Sequence, residues 1–141
     1  MSVNVLYTAH ATAVGGREGH IESSDGNLKA ALALPREMGG PGGNATNPEQ
    51  LFAAGYAACF ESAIRFVARQ RGVAITKSSV TADVGVGPRA AGGFGLTVAL
   101  RVSLPEVDPA LAQELAETAH RDICPYSHAT RGNVDVSVTL A

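Results

Sequence analysis

The sequence predicts an α+β domain, with helices packed on a largely antiparallel sheet. Three observations carry this: two strong helix starts, at Asn47-Pro48 and Asp108-Pro109; alternating apolar and polar stretches around them, cleanest from Val134 to Leu140; and their order, strands, helix, two strands, helix, strand. A chain of 141 residues is about one domain long and buries enough surface to fold without disulfides.

Taken in order, Val3 to Val14 reads as a first strand, halted by Gly15-Gly16, and extended chain resumes around His20-Ile21-Glu22. This is a hairpin with Arg17 at its tip. Ser24-Asp25-Gly26-Asn27 is a turn, Leu28 to Leu34 a short third strand, and Met38 to Asn44 a glycine-rich surface loop. Asn47 at the cap, Pro48 at the first helical position and Gln50 at the capping-box position then start a helix that runs to about Arg71-Gly72. Phe52, Tyr56, Cys59, Ala63, Phe66, Val67 and Gln70 fall on a stripe expected mostly to face a core. Alanines and Gly55 make the first half apolar all round, so this helix is central. Val73 to Val86 and Phe94 to Leu104 read as two strands. Asp108-Pro109 opens a second helix, Ala110 to Ile123, which Pro125 ends or kinks just after Cys124. Val134 to Leu140 is the last strand.

A net charge of −2 provides no broad positive field, which argues against a nucleic-acid partner. The first residues lack the basic stretch and long apolar run of a signal peptide, and no apolar run approaches the ~20 residues of a membrane span. The expected compartment is the cytoplasm, with no membrane association. There, two thiols are more often free, catalytic or transiently paired than structurally bridged.

The chain has two cysteines in unlike settings, Cys59 within Ala57-Ala58-Cys59-Phe60 and Cys124 before a proline. A thiol attacks as thiolate, and its ordinary pKa near ~8.5 leaves only a few per cent ionised at neutral pH. Burial in an apolar helix raises the pKa further, and Cys59 is too far from its helix start to gain from the dipole. It therefore needs a cation. Arg17, flanked by Gly15, Gly16 and Gly19, is the candidate, because arginine stays charged and forks its donors. A desolvated arginine needs a counter-charge, and Glu49 in the first helical turn can accept a bidentate pair. Ten residues separate Glu49 from Cys59, roughly 15 Å along the helix, so spacing alone does not join them.

Gly15-Gly16-Arg17-Glu18-Gly19, the block from Thr46 to Phe60, and Cys124-Pro125-Tyr126-Ser127 with Ala129-Thr130-Arg131-Gly132-Asn133 closely resemble the organic hydroperoxide resistance (Ohr) proteins of the Ohr/OsmC family. The resemblance covers essentially the whole chain, as a single OsmC-like domain from residue 1 to 141. Cys-Pro-Tyr-Ser with Arg-Gly-Asn favours the Ohr branch over the OsmC branch, whose peroxidases have broader specificity. His128 departs from the family, where asparagine is commoner. The resemblance implies an intertwined homodimer with active sites at the subunit interface, acting as a thiol peroxidase on alkyl and fatty-acid hydroperoxides in oxidative stress defence. It implies Cys59 as peroxidatic cysteine, Cys124 as the resolving partner in a Cys59–Cys124 disulfide, Arg17 as thiolate activator and peroxide binder, and Glu49 as its salt-bridge partner. Tyr56 and Phe60 are candidate substrate-binding residues. No tightly bound cofactor or metal is implied; dihydrolipoamide or a lipoylated protein supplies electrons.

Other readings exist for each residue. A free cysteine alone is usually core, a hairpin-tip arginine usually solvated, and a first-turn glutamate usually serves the helix dipole. His120, Cys124 and His128 stand at i, i+4, i+8, a spacing that would align three zinc ligands on an unbroken helix, but Pro125 interrupts it. A thiol-based sensor would require DNA-reading helices or a basic patch that the sequence lacks.

Overall fold

A computed structural model of the chain describes residues 2–141. The chain forms two compact units, Met1–Pro48 and Glu49–Ala141.

The first unit holds an antiparallel three-stranded sheet: β1 (Ala11–Val14), β2 (His20–Ser23) and β3 (Lys29–Ala31), in the order β1-β2-β3. The first strand is shorter than the sequence predicts. Residues 3–10 alternate but form no strand here, and they expose Val3, Val5, Leu6 and Tyr7. Alternation reports a chain that fits a half-buried sheet position and does not itself supply a partner strand. Between β1 and β2, Arg17 lies in a 3₁₀ turn, Gly16–Glu18, entered through Gly15 and Gly16 at φ of 83° and 60°.

Gly19 closes that turn under the tightest steric constraint in the unit. A Cβ there would stand 1.7 Å from the Val14 carbonyl oxygen and 2.7 Å from Gly15 Cα, both backbone atoms that cannot swing away. Gly19→Ala is therefore expected to open the turn, at a cost above the roughly 1–3 kcal/mol of ordinary overpacking. Faster amide exchange confined to residues 14–20 would show it; wild-type protection there would contradict it.

The second unit begins with α1 (Pro48–Gln70), which starts at the proline the sequence marks. Its buried face is Tyr56, Phe60, Ala63, Ile64, Val67 and Ala68. The predicted stripe is thus rotated in the second half: Phe66 is 41% exposed and Gln70 lies in solvent. By length and composition α1 is apolar enough to cross a membrane, which the sequence reading did not anticipate. Tyr56, Phe60, Ile64 and Val67 instead join the core of this unit.

β4 (Ser79–Pro88) and β5 (Phe94–Ser103) pair antiparallel, and β6 (Asp135–Leu140) adds to β5 in parallel, giving the order β4-β5-β6. A parallel neighbour needs a long crossover, which here runs through α2 (Pro109–Thr118). Inward Val98, Leu100 and Val102 form one core with Leu115 and Ala116 of α2 and the buried face of α1. Each fully buried large apolar side chain is worth about 1.5–3 kcal/mol relative to exposure. Asp108 caps α2 by accepting from the Ala110 and Leu111 N–H groups, as read from the sequence.

The end of α2 departs from expectation. Residues Ala119–Ile123 widen into a π-helical turn in which the Cys124 N–H reaches the Ala119 carbonyl at 2.9 Å. Pro125 then does more than terminate: it occupies the first position of a third helix, α3 (Pro125–Thr130). The residue before a proline is driven out of helical geometry, and Cys124 is extended at φ −68°, ψ 119°. Cys124 is thus the cap residue of α3.

Candidate active site

α1 and α3 bring the cysteines together. Both are free thiols, Cys59 half-buried and Cys124 fully buried, and Sγ stands 3.9 Å from Sγ, with Cys124 donating toward Cys59. That is sulfur–sulfur contact, needing about 2 Å of approach to reach disulfide length.

The setting is hostile to a thiolate. Burial pushes the Cys59 thiol up to about 11, the adjacent Cys124 sulfur adds to the rise, and the Tyr126 backbone N–H opposes it. Cys124 supplies its carbonyl to two donors, the His128 N–H and the His128 ring Nδ1, each at 3.0 Å. A carbonyl only accepts, so this Nδ1 carries hydrogen.

The segments that carry the pair also carry a cluster of aromatic rings. Phe52, Tyr56 and Tyr126 meet at centroid distances of 5.6 to 6.3 Å, and Phe60 stacks obliquely between Tyr56 and His120. Tyr56 and Phe60 are both fully buried, whereas Tyr126 is 39% exposed. Gly55 lets the Tyr126 ring lie on α1, since a Cβ there would come within 2.9 Å of its hydroxyl oxygen. The Tyr56 hydroxyl contacts Ser127 Oγ at 2.9 Å and Thr130 Oγ1 at 3.2 Å, and Ser127 Oγ contacts His120 Nδ1 at 2.7 Å. Burial, with Arg131 and His128 nearby, holds His120 below the ordinary imidazole range.

Of the residues singled out from sequence, the structure unites Cys59, Cys124, Tyr56 and Phe60. Glu49 is half-buried in the first turn of α1, on the same helix as Cys59. Arg17 belongs to the Met1–Pro48 unit, where it is half-buried. Sequence reasoning assigned no role to Tyr126 and Ser127, although both stand in the Cys124-Pro125-Tyr126-Ser127 block; Pro125 as a first helical residue is the signal that they begin a helix capped by Cys124. His120, Cys124 and His128 share no continuous helix, and among the described residues no group of three such side chains could hold a metal ion.

The family model described as OsmC-like protein matches residues 40–139. An organic hydroperoxide resistance protein of Xanthomonas axonopodis pv. citri is 56% identical over 138 residues, covering 97% of this chain and 96% of that protein. The crystal structure of the organic hydroperoxide resistance protein OsmC from Legionella pneumophila superposes with a TM-score of 0.92 at 51% identity, over 98% of this chain and 99% of that one. For the organic hydroperoxide resistance protein OhrB of Bacillus subtilis the TM-score is 0.88 at 46% identity, over 97% and 100%. With its paired thiols on α1 and α3 and this likeness along nearly its full length, the chain belongs to the Ohr/OsmC family, on the side of the organic hydroperoxide resistance proteins.

Proposed function

We propose that this protein is a cytoplasmic, lipoyl-dependent thiol peroxidase that reduces alkyl and fatty-acid hydroperoxides to alcohols in oxidative stress defence. The observation that carries the reading is the 3.9 Å contact of two free cysteine sulfurs drawn from distant parts of the chain. The Cys59 thiolate attacks the distal oxygen of ROOH; the O–O bond breaks, RO⁻ takes a proton and leaves as alcohol, and Cys59 becomes a sulfenic acid. Cys124 then attacks the oxidised sulfur. The S–S bond forms as the S–O bond breaks, and the Cys124 thiol proton leaves with the hydroxyl as water. A dihydrolipoyl group, free or on a lipoylated protein, reduces the disulfide and becomes a cyclic disulfide itself. The cytoplasm suits a pair that must return to thiols.

With burial pushing the thiol up to about 11, the Cys59 thiolate is scarce at neutral pH. A cation is required, and Arg17, oriented by Glu49, is our assignment for activating the thiolate and binding peroxide. Tyr56 and Phe60 belong to the buried core against which Cys59 packs, and half-buried Phe52 with Tyr126 offers apolar surface to an organic group. An alkyl chain gains about 0.8 kcal/mol per buried methylene on such a surface, a gain hydrogen peroxide lacks. The working form is an intertwined homodimer with the active sites at the subunit interface. Support comes from exposed apolar surface: Leu6 is 94% exposed, Tyr7 80% and Val3 77%, and all of β1 lies open.

The test combines purified protein, dihydrolipoamide and tert-butyl or cumene hydroperoxide. Catalytic consumption with alcohol as product is expected, and consumption no faster than without protein would contradict the reading. Comparable rates with hydrogen peroxide would instead indicate the broader specificity of the OsmC branch.

A further inference from the structure

Behind the thiol pair runs a buried chain of hydroxyls that the peroxidase chemistry leaves unused, and its hydrogens can be assigned by counting. Thr130 Oγ1 donates to the Ser127 carbonyl at 3.2 Å, which uses its one hydrogen. In the 3.2 Å contact between Thr130 and Tyr56 the phenol is therefore the donor. That uses the Tyr56 hydrogen, so Ser127 donates in its 2.9 Å contact with Tyr56. Ser127 has then none left for His120, and the 2.7 Å contact requires hydrogen on His120 Nδ1. The chain runs in one direction: His120 to Ser127, Ser127 to Tyr56, Tyr56 to Thr130. Burial favours the neutral ring, which is then the Nδ1–H tautomer.

The placement of these groups gives the chain a task. Tyr56 precedes Cys59 by one helical turn on α1, and Ser127 follows Cys124 by one turn on α3. His120 sits in the π-helical turn that leads into Cys124. Ser127 and Tyr56 are fully buried, so each broken link would leave a polar group without water. We propose that Ser127 is a positioning residue for disulfide closure: clamped between His120 and Tyr56, it fixes α3 against α1 and holds the Cys124 sulfur in contact with Cys59. This rests on the peroxidase reading, in which Cys124 resolves the Cys59 sulfenic acid.

The test follows Ser127→Ala through one oxidation by cumene hydroperoxide, with sulfenic acid trapped by dimedone and the disulfide measured by mass spectrometry. Sulfenic acid formation is expected within about twofold of wild type, since Cys59 and its apolar surroundings are kept. Disulfide closure is expected to slow by roughly 10- to 100-fold, the scale on which an ångström of misplacement acts, and Cys59 sulfinic acid accumulates under excess peroxide. A merely structural role would lower stability without separating the two steps. If Ser127→Ala does not fold, His120→Phe removes the other side of the clamp while keeping a ring against Phe60, and is expected to show the same separation. Closure at the wild-type rate in the folded variant overturns the proposal while leaving the peroxidase reading intact. A wild-type protein that forms neither sulfenic acid nor disulfide overturns both. Nitrogen chemical shifts of wild-type His120 add a check: Nδ1–H is expected, and Nε2–H would overturn the assigned direction.

Discussion

Replacing Cys59 by serine is expected to bring organic hydroperoxide consumption down to background, a loss on the order of 10⁴-fold or more, as for removal of other covalent nucleophiles. The serine hydroxyl is no substitute: it is barely ionised, and the contact at 3.9 Å would no longer join two sulfurs. Cys124→Ser is expected to behave differently. Its first reduction proceeds and leaves an oxidised Cys59, after which dihydrolipoamide has no intramolecular disulfide to reduce and turnover stalls. Peroxide consumption and alcohol formation separate the two variants. Unchanged turnover in Cys59→Ser would reject its assignment as the attacking residue.

Arg17→Ala carries the second large effect. Burial and the adjacent Cys124 sulfur push the Cys59 thiol up to about 11, and the proposed mechanism assigns to Arg17 the charge that offsets this. An opposite charge close by lowers such a pKa by about 1–3 units. The sign follows: removing the cation raises the pKa, and at a fixed neutral pH the thiolate fraction falls. Alkylation of Cys59 by iodoacetamide should slow roughly 10- to 1000-fold at pH 7, and the pH–rate curve should move to higher pH. Glu49→Gln should shift the curve the same way but less, because under the proposed assignment it removes only the group that orients Arg17. Equal alkylation rates in wild type and Arg17→Ala would remove Arg17 from the mechanism.

What could be read in the sequence divides along physical lines. Caps act locally, so Pro48 and Asp108-Pro109 mark the starts of α1 and α2 without ambiguity. Period-two alternation identifies β6 but says nothing of its neighbour, and its parallel pairing with β5 emerges only from the crossover. The same alternation runs from Val3 to His10, yet among the described residues that stretch forms no strand. Pro125 was read for the bond it cannot make; its fitness for a first helical turn produced α3. Phe66 fits the helical stripe by spacing, yet tertiary packing decides which face of α1 is covered, and the buried side of its second half runs through Ala63, Ile64, Val67 and Ala68.

The candidate site shows a similar division. The two cysteines stood out by their unlike settings, and the apolar surroundings of Cys59 were visible in Ala57-Ala58-Cys59-Phe60. Their contact could not be seen, because it depends on α3 turning Cys124 toward α1. The hydroxyl chain of Tyr56, Ser127 and Thr130 was hidden for the same reason, as no short-range pattern links residues 71 positions apart. Tyr56 and Phe60 showed only that they are aromatic; their full burial is a property of the packed domain.

One measurement bears on the central claim most directly. The reduced protein, with its two cysteines per chain, is treated with one molar equivalent of cumene hydroperoxide and digested for peptide mass spectrometry. The account predicts that both thiols disappear, that the Cys59 and Cys124 peptides are joined by a disulfide within one chain, that cumyl alcohol forms in equal amount, and that dihydrolipoamide restores both thiols. Peroxide left intact, or peroxide consumed while Cys124 remains a free thiol, would contradict it.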